Sequence, residues 1–246
     1  LALGGAGPGG PAAMSTLTLR QEGLLVVDGV LGALPLAALR DQVAQAEFRG
    51  VHGQKWDKVW RLWDGHPQRG PSVHYDPDRR FDHKGAAYPT GTAVDALIDA
   101  VRTQSALHPE IAGAELVDWA GLYLCPWLYP VGSALSAHQD AARYTGSFTF
   151  FLHARWRLHW GGELFVYPPL APEQRAADPV SCADAPWMSD EGPEEALIAD
   201  VALAISPSPN RLVLLGEDRP HRVARVDANA GAHLRASIAG FFLRAP

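Results

Sequence analysis

The chain predicts a mainly β domain, a jelly roll or barrel, with flanking helices gathered in its first half. Three observations predict it. From residue 115 onward, eight short strand-like runs follow one another in about 130 residues, separated by Gly, Pro, Asn or Asp turns. Before residue 115, two segments instead repeat apolar residues at helical spacing. The 246 residues, 47% hydrophobic and 20% charged, suffice for one good-sized core in a single domain over 15–246.

In chain order, "LALGGAGPGGPAAM" (1–14) is small and glycine-rich with no basic start. It reads as a disordered leader or an expression remnant, with Met14 as a natural start, and not as a signal peptide. "EGLLVVDGVL" (22–31) reads as a short buried strand and a turn. "LPLAALRDQVAQAEF" places Leu36, Leu39, Val43 and Ala46 on one helical stripe. Residues 49–90 are dense in Gly, Pro, His, Asp and Arg, with Trp56, Trp60 and Trp63 among them. Long loops or irregular strands are expected there, the usual seat of binding residues. "TAVDALIDAVRTQSAL" is a second amphipathic helix, with Thr92 as its N-cap and Val94, Leu97, Ile98 and Val101 on one side. That completes a helical, loop-rich part over 15–114.

The β part, 115–246, comprises "ELVDWAGLYLCPWLY", "ALSAHQD", "GSFTFFLH", "GELFVYP", "ADVALAIS", "NRLVLLG", "HRVARVD" and "LRASIAGFFL". One proline- and acid-rich insert, 168–196, interrupts them and reads as a lid or a long surface loop. The formal charge of −6 argues against a nucleic-acid partner. No apolar run reaches the roughly 18 residues of a membrane span. Cys125 and Cys182 form no disulfide framework and no C-x-x-C pair, so a reduced cytoplasm is the expected setting. Only three of 21 basic residues are lysine, and alanine and glycine abound, the composition of a GC-rich bacterial genome.

The chemistry starts at His138-Gln139-Asp140. On a strand, the outer two side chains share a face, which suits a solvated ion pair or half of a metal site. Of ten histidines, His221 is the candidate third ligand: it opens "HRVARVD" at a strand mouth, directly after the turn "GEDRP". His153 and His159 read as packing or surface. Two imidazoles and one carboxylate leave half a coordination sphere open, which suits non-haem iron(II) enzymes. Fourteen residues after His221, Arg235 stands in an apolar strand, where it needs a carboxylate, internal or from a bound dicarboxylate. Ser237, two positions on, faces the same way.

These motifs resemble the iron(II)- and 2-oxoglutarate-dependent oxygenases, most closely their prolyl 4-hydroxylase-like branch. "YPVGSALSAHQD", "WRLHWGGELFVYP", "NRLVLLGEDRPHRVARV" and "LRASIAGFF" match that branch in order over about residues 115–244. The resemblance implies a double-stranded β-helix, a cupin-like jelly roll. It implies His138, Asp140 and His221 as iron ligands, and Arg235 with Ser237 as the clamp on the distal carboxylate of 2-oxoglutarate. It also implies Tyr129 as a hydrogen-bonding contact of that cosubstrate, with Thr149 lining the same pocket. A tyrosine that some members carry in "FTFFLH" is here Phe151. The implied reaction consumes oxygen and 2-oxoglutarate, releases succinate and carbon dioxide, and hydroxylates an unactivated C–H bond, with ascorbate as a stimulant. Halogenating relatives have a small residue at the carboxylate position, so Asp140 favours hydroxylation.

The expected substrate is a small metabolite or amino acid, free or tethered to a carrier protein, ahead of a peptidyl proline. Trp63, His74, Tyr75, Arg79 and Arg143 are the candidate substrate contacts, with Arg80 and Tyr144 nearby. A non-catalytic, cupin-like metal sensor is the rival reading, and it requires Arg235 to be paired internally. A metal hydrolase fits the arginine clamp poorly.

Overall fold

Each of the eight β runs forms a strand in the computed structural model, which describes residues 15–54, 59–169 and 201–246. Ahead of them stands a hairpin of β1 (Thr16–Gln21) and β2 (Leu24–Asp28). The sequence does not announce β1, because its alternating Thr and Leu lie almost wholly exposed at a sheet edge. α1 (Ala33–Ala44) buries Leu36 and Leu39, and Arg40 on it donates to the carbonyls of Leu152 and His153 at 2.7 and 3.0 Å. Residues 49–90 are irregular, as their composition implies. Their described residues hold the short strands β3 (Arg49–Gly50), β4 (Gln68–Arg69), β5 (Val73–Tyr75) and β6 (Ala86–Ala87), with single 3-10 turns at Val51–Gly53 and Leu62–Asp64. Trp56 lies outside the described residues.

α2 (Val94–Leu107) buries Val94, Leu97, Ile98 and Val101 on one face, as its spacing requires. Burying each of these side chains contributes about 1.5–3 kcal/mol. Thr92 is not the N-cap. Ala93 holds that position without a side-chain bond, and Asp95 from inside the helix accepts the N–H groups of Thr90 and Gly91 at 3.0 and 2.8 Å. Pro109 then disfavours helical backbone at His108, so the chain turns there into the single turn α3 (Pro109–Ala112).

The remaining strands are β7 (Trp119–Tyr129), β8 (Leu135–His138), β9 (Tyr144–Phe151), β10 (Leu164–Val166), β11 (Leu203–Ile205), β12 (Arg211–Gly216), β13 (His221–Val223) and β14 (Arg235–Arg244). A large sheet runs β1-β2-β12-β9-β14-β7-β4-β3, with β5 also on β7, and a small one runs β11-β10-β13-β8. All pairings between strands are antiparallel except β5 with β6. Two facing, unclosed sheets with helices on one side make the expected double-stranded β-helix. The leader 1–14 and residues 170–196 of the insert lie outside the described residues. No helix among those described is long and apolar enough to cross a membrane.

The pleat of the large sheet separates two cores. On β7, Leu122 and Leu124 face the helices, while Tyr123, Cys125, Trp127 and Tyr129 face the small sheet. On β14, Ile238 and Phe242 face the helices. Alternation then puts Arg235, Ser237, Ala239 and Phe241 on the side of the small sheet. Helix packing therefore stabilises the platform from behind, and the cleft between sheets is left for chemistry.

Candidate active site

The small sheet brings two of the three expected ligands face to face. His138 ends β8 and pairs with His221, which opens β13. Their rings lie 4.3 Å apart between centroids and are tilted 58°. Asp140 is two residues past the end of β8, so it reaches the site from a turn and not from the strand expected for it. Its Oδ1 is 3.8 Å from His138 Nε2, and one ligand atom from each of the three residues lies within 4.8 Å of the others. No other such group of His, Cys, Asp or Glu occurs among the described residues.

The backbone fixes which nitrogen each imidazole offers. His138 Nδ1 faces the Ser136 carbonyl at 3.0 Å, and His221 Nδ1 faces the Arg219 carbonyl at 2.9 Å. A carbonyl only accepts, so each Nδ1 carries a proton and Nε2 is the nitrogen left to face a metal. Burial first, and then the neighbouring His221 ring, push His138 down to about 4, so it is neutral at physiological pH. Two imidazole nitrogens and a carboxylate make a donor set that fits iron(II), with coordination positions left for other ligands.

A residue that the sequence did not single out steadies this arrangement. Asp64, 1% exposed, accepts the backbone N–H of Arg61 and of Ser136 at 2.8 and 3.1 Å, and the Ser136 hydroxyl at 2.9 Å. Ser136 in turn holds His138 through its carbonyl and accepts the Trp63 indole N–H at 3.1 Å. The register of β8 against β13 is irregular here: β8 uses three steps from Leu135 to His138 where β13 uses two from Val223 to His221. Asp64 grips the strand at that bulge. Asp64→Ala should therefore weaken iron(II) about 10- to 100-fold, the usual cost of losing an outer-shell partner. Metal titration checks this, with Ser136→Ala expected to give a smaller loss.

Arg235, 1% exposed, starts β14 on the cleft side. Its Nε donates to the Gly162 carbonyl at 2.6 Å and one terminal nitrogen to Ser237 Oγ at 3.2 Å. The other terminal nitrogen, Nη2, is buried with no partner, and Arg235 makes no ion pair among the described residues. Burial pushes it down to about 10, so it stays charged at neutral pH. Tyr129 and Phe151 present their rings 5.2 and 5.0 Å from its guanidinium carbon. Gly162 makes this approach feasible, since a Cβ there would lie 2.8 Å from Arg235 Cδ. A buried, unsatisfied guanidinium nitrogen is costly unless an anion meets it. This is the fit expected of a dicarboxylate.

Comparison with solved structures finds the same architecture elsewhere. A Pseudomonas putida prolyl-4-hydroxylase aligns at a TM-score of 0.54 and 19% identity, over 91% of this chain and 94% of that one. A 2-oxoglutarate–iron(II) oxygenase family oxidoreductase from Burkholderia pseudomallei aligns at 0.54 and 15%, over 90% and 85%. The fold is that of the 2-oxoglutarate–iron(II) oxygenases. An α-ketoglutarate-dependent carbocyclase of nogalamycin biosynthesis shares it, at 0.54 and 15% over 90% and 79%. No family model matches the chain, and no curated protein does.

Within this oxygenase fold the other expected residues divide. Tyr129 pairs with Arg235 across β7 and β14, and burial pushes its phenol up to about 12, so it remains a hydrogen-bond donor. Thr149 shares the cleft face of β9 with Phe151, two residues along. His74 lines an open cavity, and Arg143 lies over the Tyr144 ring at 5.0 Å. Trp63 is taken up by Ser136. Tyr75 is not a cleft residue: the pleat of β5 turns it to the helix-side core, where its hydroxyl donates to Glu115 and Arg102 covers its ring. Arg79 occupies an exposed left-handed corner at φ 53. His153 faces the Pro207 and Ala236 carbonyls and is ordinary packing, as expected.

Proposed function

We propose that this chain is an iron(II)- and 2-oxoglutarate-dependent dioxygenase that hydroxylates a C–H bond of a small molecule. The observation that carries the reading is the unsatisfied Nη2 of Arg235 in the same fold as a His–Asp–His triad. A metal sensor without turnover has no use for such a cation, and the described residues do not pair it internally.

His138, Asp140 and His221 hold the metal through Nε2, a carboxylate oxygen and Nε2. Arg235 receives the distal carboxylate of 2-oxoglutarate, with Ser237 holding one guanidinium nitrogen in place and Tyr129 donating from the side. The buried walls of Phe151, Trp160 and Val213 exclude water from the cleft. With iron, cosubstrate and oxygen bound, the centre supplies an oxidant able to break an unactivated C–H bond, yielding succinate and carbon dioxide.

Anaerobic addition of iron(II) and 2-oxoglutarate is expected to raise a weak visible charge-transfer band, and a metabolite screen to find substrate-linked succinate release. Because Asp140 fills the position a halide would need, product made in excess chloride should gain oxygen from O2 and no chlorine. Absence of the band would sink the oxygenase reading.

A further inference from the structure

A cavity of about 250 Å3 is lined by His74, Phe81, Asp82, His83, Tyr123, Tyr144 and Leu243. Five of these seven residues carry rings, and four of the rings touch one another. His74 stacks on His83 at 4.1 Å and lies 4.9 Å from Tyr123, while Phe81 is 5.7 Å from His83. Behind them Phe241 stacks on Tyr144 at 4.3 Å and on Tyr123 at 6.3 Å. His74 Nε2 donates to the Lys84 carbonyl at 2.8 Å, and burial lowers its affinity for a proton, so this ring is a fixed, neutral wall.

The strands connect this cavity to the candidate active site. Tyr123 pairs with Phe241 as Tyr129 pairs with Arg235, on the same face of the same two strands and six residues along. Six residues of extended chain span roughly 20 Å, room for a cosubstrate, a metal and a substrate group in line. Tyr144 follows Asp140 by four residues, and Arg244 anchors the intervening loop by donating to the Ala142 carbonyl at 2.9 Å. The cavity therefore lies at the end of these two strands opposite Arg235, beside the start of β9 that follows Asp140.

We propose that this aromatic cavity holds a planar ring of the substrate, so that the substrate is a small aromatic compound. The proposal rests on the oxygenase reading of the same cleft. Flat rings gain offset-stacked and edge-to-face contacts that saturated groups lack, a preference of roughly 2- to 12-fold per pair. The volume suits one such group, since a cavity of roughly 150 Å3 already takes benzene. At the rim, exposed Asp82 and the Arg143 guanidinium over Tyr144 offer one acid and one cation to polar substituents of the ring-bearing molecule.

Calorimetric titration of the full chain with L-phenylalanine, L-tyrosine, L-tryptophan, L-leucine and a prolyl tripeptide tests this. At least one aromatic probe is expected to bind several-fold more tightly than leucine, with Tyr123→Leu and Phe81→Leu erasing the preference. Leucine or the prolyl peptide binding as tightly, a preference that survives both variants, or no aromatic binding at millimolar concentration overturns the proposal. Running the titrations on metal-free and iron-loaded protein separates the two readings. Ring preference without the visible band defeats the oxygenase reading alone, and the band without ring preference defeats the pocket alone.

Discussion

Replacing His138, Asp140 or His221 with alanine is expected to reduce iron(II) binding and substrate-linked succinate release to background. Each variant removes one of three donors whose atoms lie within 4.8 Å of one another, and no second group among the described residues can substitute. The fold should persist, because the ligands belong to neither apolar core and the pairing of β8 with β13 is made by backbone. Iron analysis, succinate assay and a melting curve check the three parts of this expectation. A variant that keeps full succinate production would remove its residue from the ligand set. Proton competition at His138 should set in only as pH falls toward 4, since burial and the neighbouring His221 already hold that ring neutral.

Arg235→Leu should separate the cosubstrate from the metal. Breaking a buried charge-assisted pair costs about 2–5 kcal/mol, which lowers 2-oxoglutarate affinity roughly 30- to 5,000-fold. Iron(II) affinity should stay within a few-fold of wild type, since Arg235 stands on the large sheet and the triad on the small sheet and the turn after it. Arg235→Lys should fall between, keeping a charge but losing the planar fork. Titrating 2-oxoglutarate against the visible band measures all three proteins. Equal affinity in the leucine variant would mean that Gly162 and Ser237 are the whole purpose of the guanidinium.

Much of this was legible in the sequence because it is local. Period-two alternation and turn residues announce β7 to β14, and an H-x-D spacing together with a histidine after a turn announces the triad. Arg235 stands out because a cation in an apolar run demands a partner. What was not legible depends on contacts between distant segments. Asp64 lies in a loop-like stretch, and its role exists only because Ser136, 72 residues on, folds against it. Tyr123 reads as one more aromatic of a buried strand, and only the sheet shows that its face opens on a cavity. The sequence offers both His74 and Tyr75 as substrate contacts, although adjacent strand residues face opposite ways. Alternation forbids keeping both, but only the packing of α2 and Glu115 shows which one turns away.

The bulge in β8 has a further meaning in terms of parity. Leu135 and His138 are three residues apart, an odd interval, so a regular strand would send one inward and the other to solvent. Leu135 belongs to the inter-sheet core and His138 meets His221, so both must point inward. The extra residue that β8 carries against β13 resets the count between them. Without it, the strand could satisfy its core or its metal, but not both. The hydrogen bonds that Asp64 makes to Ser136 are thus what keep an even-numbered pleat compatible with an odd-numbered spacing of functions.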